Sequence, residues 1–264
     1  MAVGGLKPVV ALYSTFLQRA MDQVIHDVAL PNLPVVLAID RSGAVGEDGE
    51  THQGFFDIPL LKALPNMTIL APSSAREMES CLRLALGRSG PTAIRYPKAR
   101  IPCEEEFDAA PFEWGRGVYA RRRSLAKVLV CALGPLSHGA TKVSDELAEK
   151  GILVDVYSLR FANSLDEEYL RDLCSKYTEI VVIEDGAISG GVGESISAVL
   201  QRHAVEVRTR LIGFDSMPAP QASREELLKE AGLGEAELMK VLVKIAAPAG
   251  GTSVYDKAPL AARW

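Results

Sequence analysis

The densest group of residues able to do chemistry lies in DRSGAVGEDGETHQG (40–54), which overlaps the end of the apolar run PVVLAID (34–40). If that run is a strand of an open α/β sheet, the segment sits at its carboxyl end, the edge where such sheets bind ligands. Gly43, Gly46, Gly49 and Gly54 permit tight turns and close backbone approach. Arg41 offers a planar fork to an anion, Asp48 an acceptor for a hydroxyl, and His52 a donor that titrates near neutrality. A solvated surface loop is the competing reading of the same residues. Glu47, Asp48, Glu50 and His52 are also the residue types of a chelating set, although their spacing matches no ligand pattern.

Other segments carry weaker signals. In YSTFLQR (13–19) Tyr13 can donate to an anion and Phe16 can stack on a heteroaromatic ring, but Phe16 also falls on a helical apolar stripe, which by itself assigns it to the core. Arg95 and Lys98 close a strand with two cations, either as a phosphate contact or as solvated charges. Gly190, Gly191 and Gly193 precede a helix as in a phosphate cradle. Ile196 stands where a dinucleotide fingerprint needs its third glycine, which favours a structural loop. Gly134 begins a strand-to-helix turn with Ser137 as its candidate N-cap. No nucleophile elbow, Walker loop or metalloprotease motif is present.

The elements that must position these residues read as α/β. PVVAL (8–12) and PVVLAID (34–40) lack alternation, as strands buried on both faces of a parallel sheet do. Between them Phe16, Leu17, Ala20, Met21, Val24, Ile25 and Val28 form the apolar face of one helix. The pattern continues through MTILAP (67–72), a helix opened by a capping box at Ser74 and Glu77, and PTAIRYP (91–97). From Lys98 to Leu125 periodicity gives way to prolines and charge runs, and a second unit follows with strands KVLVCALG (127–134), ILVDVYSL (152–159), EIVVIED (179–185) and VEVRTRLIG (205–213). Helices separate these strands, and two more close the unit, the first with a capping box at Ser223 and Glu226. The expected division is a first domain over 1–100, a linker over 101–126, a second domain over 127–247 and a frayed tail over 248–264. A parallel sheet of about five to six strands wants neighbours that the first residues do not supply, so further elements are expected upstream.

The 264 residues suffice for about two domains with sizeable cores. A net charge of −5 argues against a broad electrostatic grip on nucleic acid or anionic lipid, while small anionic substrates remain allowed. Cys81, Cys103, Cys131 and Cys174 are far apart in sequence and form no zinc pattern, which is expected of reduced thiols in the cytoplasm. No apolar stretch approaches the about 18 residues of a membrane span, and no signal peptide is apparent.

Four segments together, YSTFLQRAMDQVIHDVALPNLPVVLAIDR (13–41), GEDGETHQGFFDIPLL (46–61), PNMTILAPSS (65–74) and AIRYPK (93–98), closely resemble the 1-deoxy-D-xylulose-5-phosphate synthases, thiamine-diphosphate enzymes of the transketolase superfamily. Residues 127–246 resemble that family's C-terminal domain. The implied fold is a truncated pyrimidine-binding domain followed by a transketolase C-terminal domain, each a mainly parallel sheet flanked by helices. The implied reaction joins a two-carbon unit from pyruvate to glyceraldehyde 3-phosphate with loss of carbon dioxide, at the entry to non-mevalonate isoprenoid synthesis. Thiamine diphosphate with Mg²⁺ supplies the carbanion chemistry, and the protein positions it. By resemblance Tyr13, Arg41 and Lys98 bind the substrate phosphate, and Asp48 and His52 meet the reacting carbonyl and hydroxyl. Phe16 stacks by the aminopyrimidine, with Arg19 in its surroundings.

The chain departs from this family at two places. The second phosphate-binding position carries arginine then glycine in the family, whereas Lys98 and Ala99 stand here, so the charge is kept and the bidentate fork lost. The diphosphate-binding domain, and the glutamate that protonates the aminopyrimidine, have no counterpart. The expectations are therefore a part-enzyme, whether split subunit, truncated product or excised piece, that is inactive without a chain bearing the diphosphate domain, and that forms a homo-oligomer, by default a dimer. The rival expectations are a transketolase-like C-terminal subunit and a non-catalytic assembly or regulatory subunit.

Overall fold

β-branched runs nucleate two separate sheets in the computed structural model, which describes residues 1–215 and 221–246. In the first unit β1 (Val9–Tyr13) leads into α1 (Ser14–Gln23), then β2 (Val36–Asp40), α2 (Asp57–Lys62), β3 (Thr68–Leu70), α3 (Ala75–Gly87) and β4 (Thr92–Arg95). The strand order is β1-β2-β4-β3, every pair parallel. The second unit begins at β5 (Val118–Arg121) and continues as β6 (Val128–Leu133), α4 (Leu136–Glu149), β7 (Val154–Leu159), α5 (Glu167–Cys174), β8 (Glu179–Ala187), α6 (Val192–Arg202), β9 (Arg208–Phe214), α7 (Arg224–Glu230) and α8 (Glu235–Ala246). Its order is β5-β7-β6-β8-β9, parallel except where β5 meets β7. Among the described residues no helix is long and apolar enough to cross a membrane. The expected tail over 248–264 lies outside the described residues.

Several expectations need correction. β1 is an edge strand, and Val9 and Val10 are 49% and 44% exposed, so it is not buried on both faces. The helix after it does not present one uniform stripe: α1 passes into a π-helical stretch at Val24–Ala29, Leu17 and Val24 reach the core, and Phe16 and Ile25 stay 46% and 39% exposed. The expected linker contains β5, an edge strand too short to show a period, and its neighbours Arg122 and Arg123 are the charges that blunt an edge. Ser137 lies inside the first turn of α4 and donates to Ala132 O and Ser158 Oγ, while Pro135 holds the N-cap position. The box at Ser223 and Glu226 closes in both directions.

The two units share one interior. The largest apolar cluster takes Leu37, Ile39, Ile69 and Ala93 from the first sheet and Leu129, Cys131, Leu159 and Val182 from the second. Backbone pairing crosses the same seam, with Ala71 N–H donating to Arg160 O at 2.9 Å and Ala162 N–H to Ile69 O at 2.9 Å. Arg160 and Glu77, 1% and 0% exposed, form an ion pair at 2.5 Å there. Ser74 caps α3 through Glu77 N–H, but the expected return bond is not made. The Glu77 carboxylate accepts instead from Ser73 N–H at 2.9 Å and Ser73 Oγ at 2.7 Å. Arg160 spends its remaining donors on the carbonyls of Phe107, Ala110 and Pro111.

Removing one partner of such a pair strands a charge in the interior, and Glu77→Ala is expected to cost about 3–5 kcal/mol. Denaturant unfolding of the two proteins measures it; a loss below about 1 kcal/mol would show the pair to be dispensable.

Candidate active site

β1, β2 and β4 run in parallel, so Tyr13, Arg41 and Lys98 emerge at the same carboxyl edge. Tyr13 ends β1 and is the N-cap position of α1, while Arg41 follows β2 directly. The Arg41 guanidinium lies over the Tyr13 ring, 4.0 Å from its centroid, and donates to Tyr13 Oη at 3.0 Å. Its other arm pairs with Asp48 Oδ2, and Asp48 Oδ1 accepts from Lys98 Nζ at 3.1 Å. One carboxylate therefore holds two cations side by side. The hydrogen bond from Lys98, helped by the charge of Arg41, keeps the Asp48 carboxyl below the usual carboxylate range although partial desolvation opposes it.

An aromatic row runs from this cluster. Tyr13 and Phe16 stack at 5.4 Å between centroids, and Phe16 meets the His52 ring edge-on at 6.0 Å. His52 ends a 3₁₀ turn at Glu50–His52, with Nδ1 3.0 Å from Thr51 Oγ1. Thr15 Oγ1 donates to Thr51 O at 2.7 Å and ties that turn to the start of α1. Phe16 is thus a half-exposed platform and not the core residue that the helical stripe suggests. Arg19 is exposed on the same helix and makes no ion pair among the described residues.

Other sequence candidates take different roles. Arg95 is buried against Asp57 at 2.8 Å and donates to Asp185 O at 2.8 Å, so of the two strand-end cations only Lys98 faces the site. The turn at Gly190–Gly193 is no phosphate cradle, because the Glu184 carboxylate already accepts from Val192 N–H at 2.8 Å and Gly193 N–H at 3.0 Å. Asp48 is committed to two cations, and among the described residues no three metal-type ligands converge.

Two residues escaped the sequence reading. Asp185 ends the run EIVVIED at a strand's carboxyl end, a position open to the same rule that singled out Arg41. Arg224 follows a cap, and only tertiary pairing reveals it. Together they grip the backbone at Ala44: Asp185 Oδ1 accepts Ala44 N–H at 2.8 Å, Asp185 Oδ2 accepts from Arg224 at 2.6 Å, and Arg224 also donates to Ala44 O. A cleft of about 560 Å³ between the units is lined by Ser42, Arg95, Asp185 and Arg224, whereas Tyr13, Arg41, Asp48 and His52 stand apart from it.

Comparison with known proteins decides the relationship. Residues 1–104 match the family described as "Transketolase, pyrimidine binding domain", and residues 117–238 match "Transketolase, C-terminal domain". The chain belongs to the transketolase family. Among curated relatives, 1-deoxy-D-xylulose-5-phosphate synthase of Treponema pallidum (strain Nichols) is 46% identical over 233 residues, covering 88% of this chain and 37% of that protein. The enzyme of the same name from Clostridium tetani is 39% identical over 246 residues, covering 93% and 39%. The chain thus spans less than two fifths of the length of these relatives. Among solved structures, a "Split gene transketolase, inactive beta4 tetramer" superposes with TM-score 0.82 at 23% identity, covering 93% of this chain and 78% of that one. Transketolase from Campylobacter jejuni superposes with TM-score 0.74 at 17% identity, covering 90% and 35%. At these identities the two structures establish the transketolase fold alone.

The lowered Asp48 pKa sets the sign of a pH test. A depressed carboxyl contributes stability that is present above its unfolded value and lost as pH falls through its folded value. The difference in melting temperature between the natural protein and Asp48→Asn is therefore expected to stay constant from about pH 5 to 8 and to shrink below about pH 4. A difference that grew on acidification would refute the ion-pair geometry.

Proposed function

We propose that the chain carries the aldehyde-phosphate and pyrimidine side of a thiamine-diphosphate-dependent 1-deoxy-D-xylulose-5-phosphate synthase. The observation that supports this most directly is the convergence of Tyr13, Arg41, Asp48 and Lys98 beside the Phe16–His52 row at one sheet edge. A planar fork, an ammonium and a phenol within one cluster suit a phosphate monoester. Phe16, half-exposed on α1 and flanked by two rings, suits the face of a heteroaromatic ring, so the residues present fit the cofactor's pyrimidine. Phe16 and Arg19 would border that ring, while the diphosphate and its Mg²⁺ fall to residues outside this set. When bound, thiamine diphosphate supplies the nucleophilic carbon and the electron sink that decarboxylation needs.

The residues of this chain then act on the second substrate. Arg41, Tyr13 and Lys98 hold the phosphate of glyceraldehyde 3-phosphate and so fix the distance to its aldehyde carbon. Asp48 keeps both cations in place and accepts from a substrate hydroxyl. The net reaction consumes one proton as pyruvate loses carbon dioxide and the new carbon–carbon bond turns the aldehyde oxygen into a hydroxyl. His52, with Nδ1 engaged by Thr51, offers its other ring nitrogen as that donor.

The extent of the chain relative to its relatives, together with the split-gene transketolase described as an inactive tetramer, favours activity only when diphosphate-binding residues complete the site, in a longer chain or a second one. Homo-oligomers of a cytoplasmic enzyme are part of the same proposal. With the site so completed, Arg41→Ala is expected to weaken aldehyde-phosphate use by roughly 1.5–3 kcal/mol and to spare pyruvate. His52→Ala is expected to lower kcat by about 10²–10⁴ with little change in either KM. Steady-state kinetics on both substrates, alongside thermal melts, read both; an unchanged aldehyde-phosphate KM in Arg41→Ala would overturn the assignment.

A further inference from the structure

Arg41 departs from β2 in the left-handed region at φ +56°, a conformation that is strained for a non-glycine residue and persists only where neighbours enforce it. Within its own unit the enforcement is narrow. Ser42 N–H donates to Tyr96 O at 3.0 Å, and Gly43 and Gly54 exchange backbone bonds at 2.7 and 2.8 Å, closing the loop that carries Asp48 and His52. Beyond that bridge Val45 N–H donates to Gln53 Oε1 at 2.8 Å and Thr15 Oγ1 to Thr51 O at 2.7 Å, and the stretch over 44–47 is held from the second unit as well. The fully buried Ala44 has both backbone groups answered there, its N–H by Asp185 and its carbonyl by Arg224. Gly43 takes φ +77°, and a Cβ on it would lie 2.2 Å from Asp185 Cγ. Gly46 takes φ +78°, and a Cβ there would lie 2.6 Å from Arg224 N. Gln221 Nε2 donates to Glu47 O at 2.9 Å, one residue before Asp48. Asp185 is itself fixed, because its carbonyl accepts from the buried Arg95.

We propose that Asp185 and Arg224 are positioning residues for the phosphate-binding cluster, holding the loop over residues 42–54 so that Arg41 and Asp48 face the substrate. This rests on the reading of Arg41 as the phosphate ligand. The clamp touches the loop and not the main interior, since none of the three larger apolar clusters contains a residue from 41–54. The small cluster beneath it joins Ala44 and Phe55 to Leu227 of α7, with Phe55 and Phe214 stacked at 4.0 Å. Loosening the clamp should therefore shift the loop and leave both sheets in place. The second unit contributes to the site through this contact.

Asp185→Asn keeps the side-chain volume and an acceptor for Ala44 while removing the charge that Arg224 needs; Asp185→Ala removes both. Amide hydrogen exchange on the whole chain is expected to quicken roughly ten- to hundredfold across 43–54 in Asp185→Ala, less in Asp185→Asn, with the strands of both sheets unchanged. If Asp185→Ala fails to fold, Asp185→Asn carries the test. Titration with inorganic phosphate is the second arm. Asp185→Asn should weaken binding about tenfold in the natural background and have no further effect in Arg41→Ala, because it acts through Arg41. Equal weakening in both backgrounds, or an unchanged loop exchange rate, overturns the positioning role. If the natural chain shows no Arg41-dependent phosphate binding, the functional reading falls and the positioning role with it. The exchange arm then still decides whether the clamp orders the loop.

Discussion

The Asp185 carboxylate occupies the space that a side chain at position 43 would need, and most of the arrangement around the site follows from that exclusion. It forces glycine at 43, brings the loop backbone within hydrogen-bonding distance of β8, and places a negative charge where Arg224 and Ala44 N–H can both answer it. A carboxylate so placed is costly to bury unless each oxygen is engaged, and here each oxygen is. The two units therefore meet through buried polar contacts as well as through the shared apolar interior. The loop of the first unit packs directly on β8 of the second, with Gly43 and Ala44 against the Asp185 carboxylate.

The other buried charges extend the same logic along the seam. Arg95 is held by Asp57 within its own unit and reaches across to Asp185 O, while Arg160 crosses in the opposite direction to Glu77. Buried ion pairs contribute little net stability once desolvation is counted, yet they tolerate only one alignment of their partners. Apolar packing between Ile39, Ile69, Leu129 and Val182 would accept small slides of one sheet over the other. The fixed forks of two arginines and the backbone bridge at Leu70 and Phe161 do not, so directional polar contacts fix the seam's register while its adhesion comes from hydrophobic burial.

Much of this is legible in the sequence. Central strands such as β6 and β8 are buried on both faces and read as unbroken apolar runs, so their places follow from composition alone. The loop over 40–54 stood out because strand-end position, glycines and polar side chains coincide there. What failed did so for physical reasons. Phe16 sits on an apolar stripe, and periodicity cannot tell a residue facing the core from one facing an open ligand surface. β5 is short and charged at its end, as an edge strand should be, and so looks like a linker. Arg95 and Lys98 have the same sign three residues apart, and only the partner on α2 decides which is buried. Asp185 and Arg224 are far apart in sequence and acquire meaning from a contact that no local pattern encodes.

The charge balance at the sheet edge bears on how a phosphate can be received there. Arg41 and Lys98 would repel each other if left alone, and Asp48 between them removes that repulsion at the cost of halving the charge offered to an anion. A phosphate that reaches the cluster therefore competes with Asp48 for the same donors. Arg41 can serve both, since its guanidinium has separate edges for Tyr13 and Asp48 and retains further N–H groups. Lys98, more exposed and a point charge on a flexible stem, can swing from one acceptor to the other. If the cluster receives phosphate as proposed, a lysine at 98 favours exchange between an internal and an external anion over the fixed two-point grip of an arginine. On the proposed reading orientation then falls to Arg41, whose backbone N–H is held by the Asp40 carboxylate at 2.7 Å.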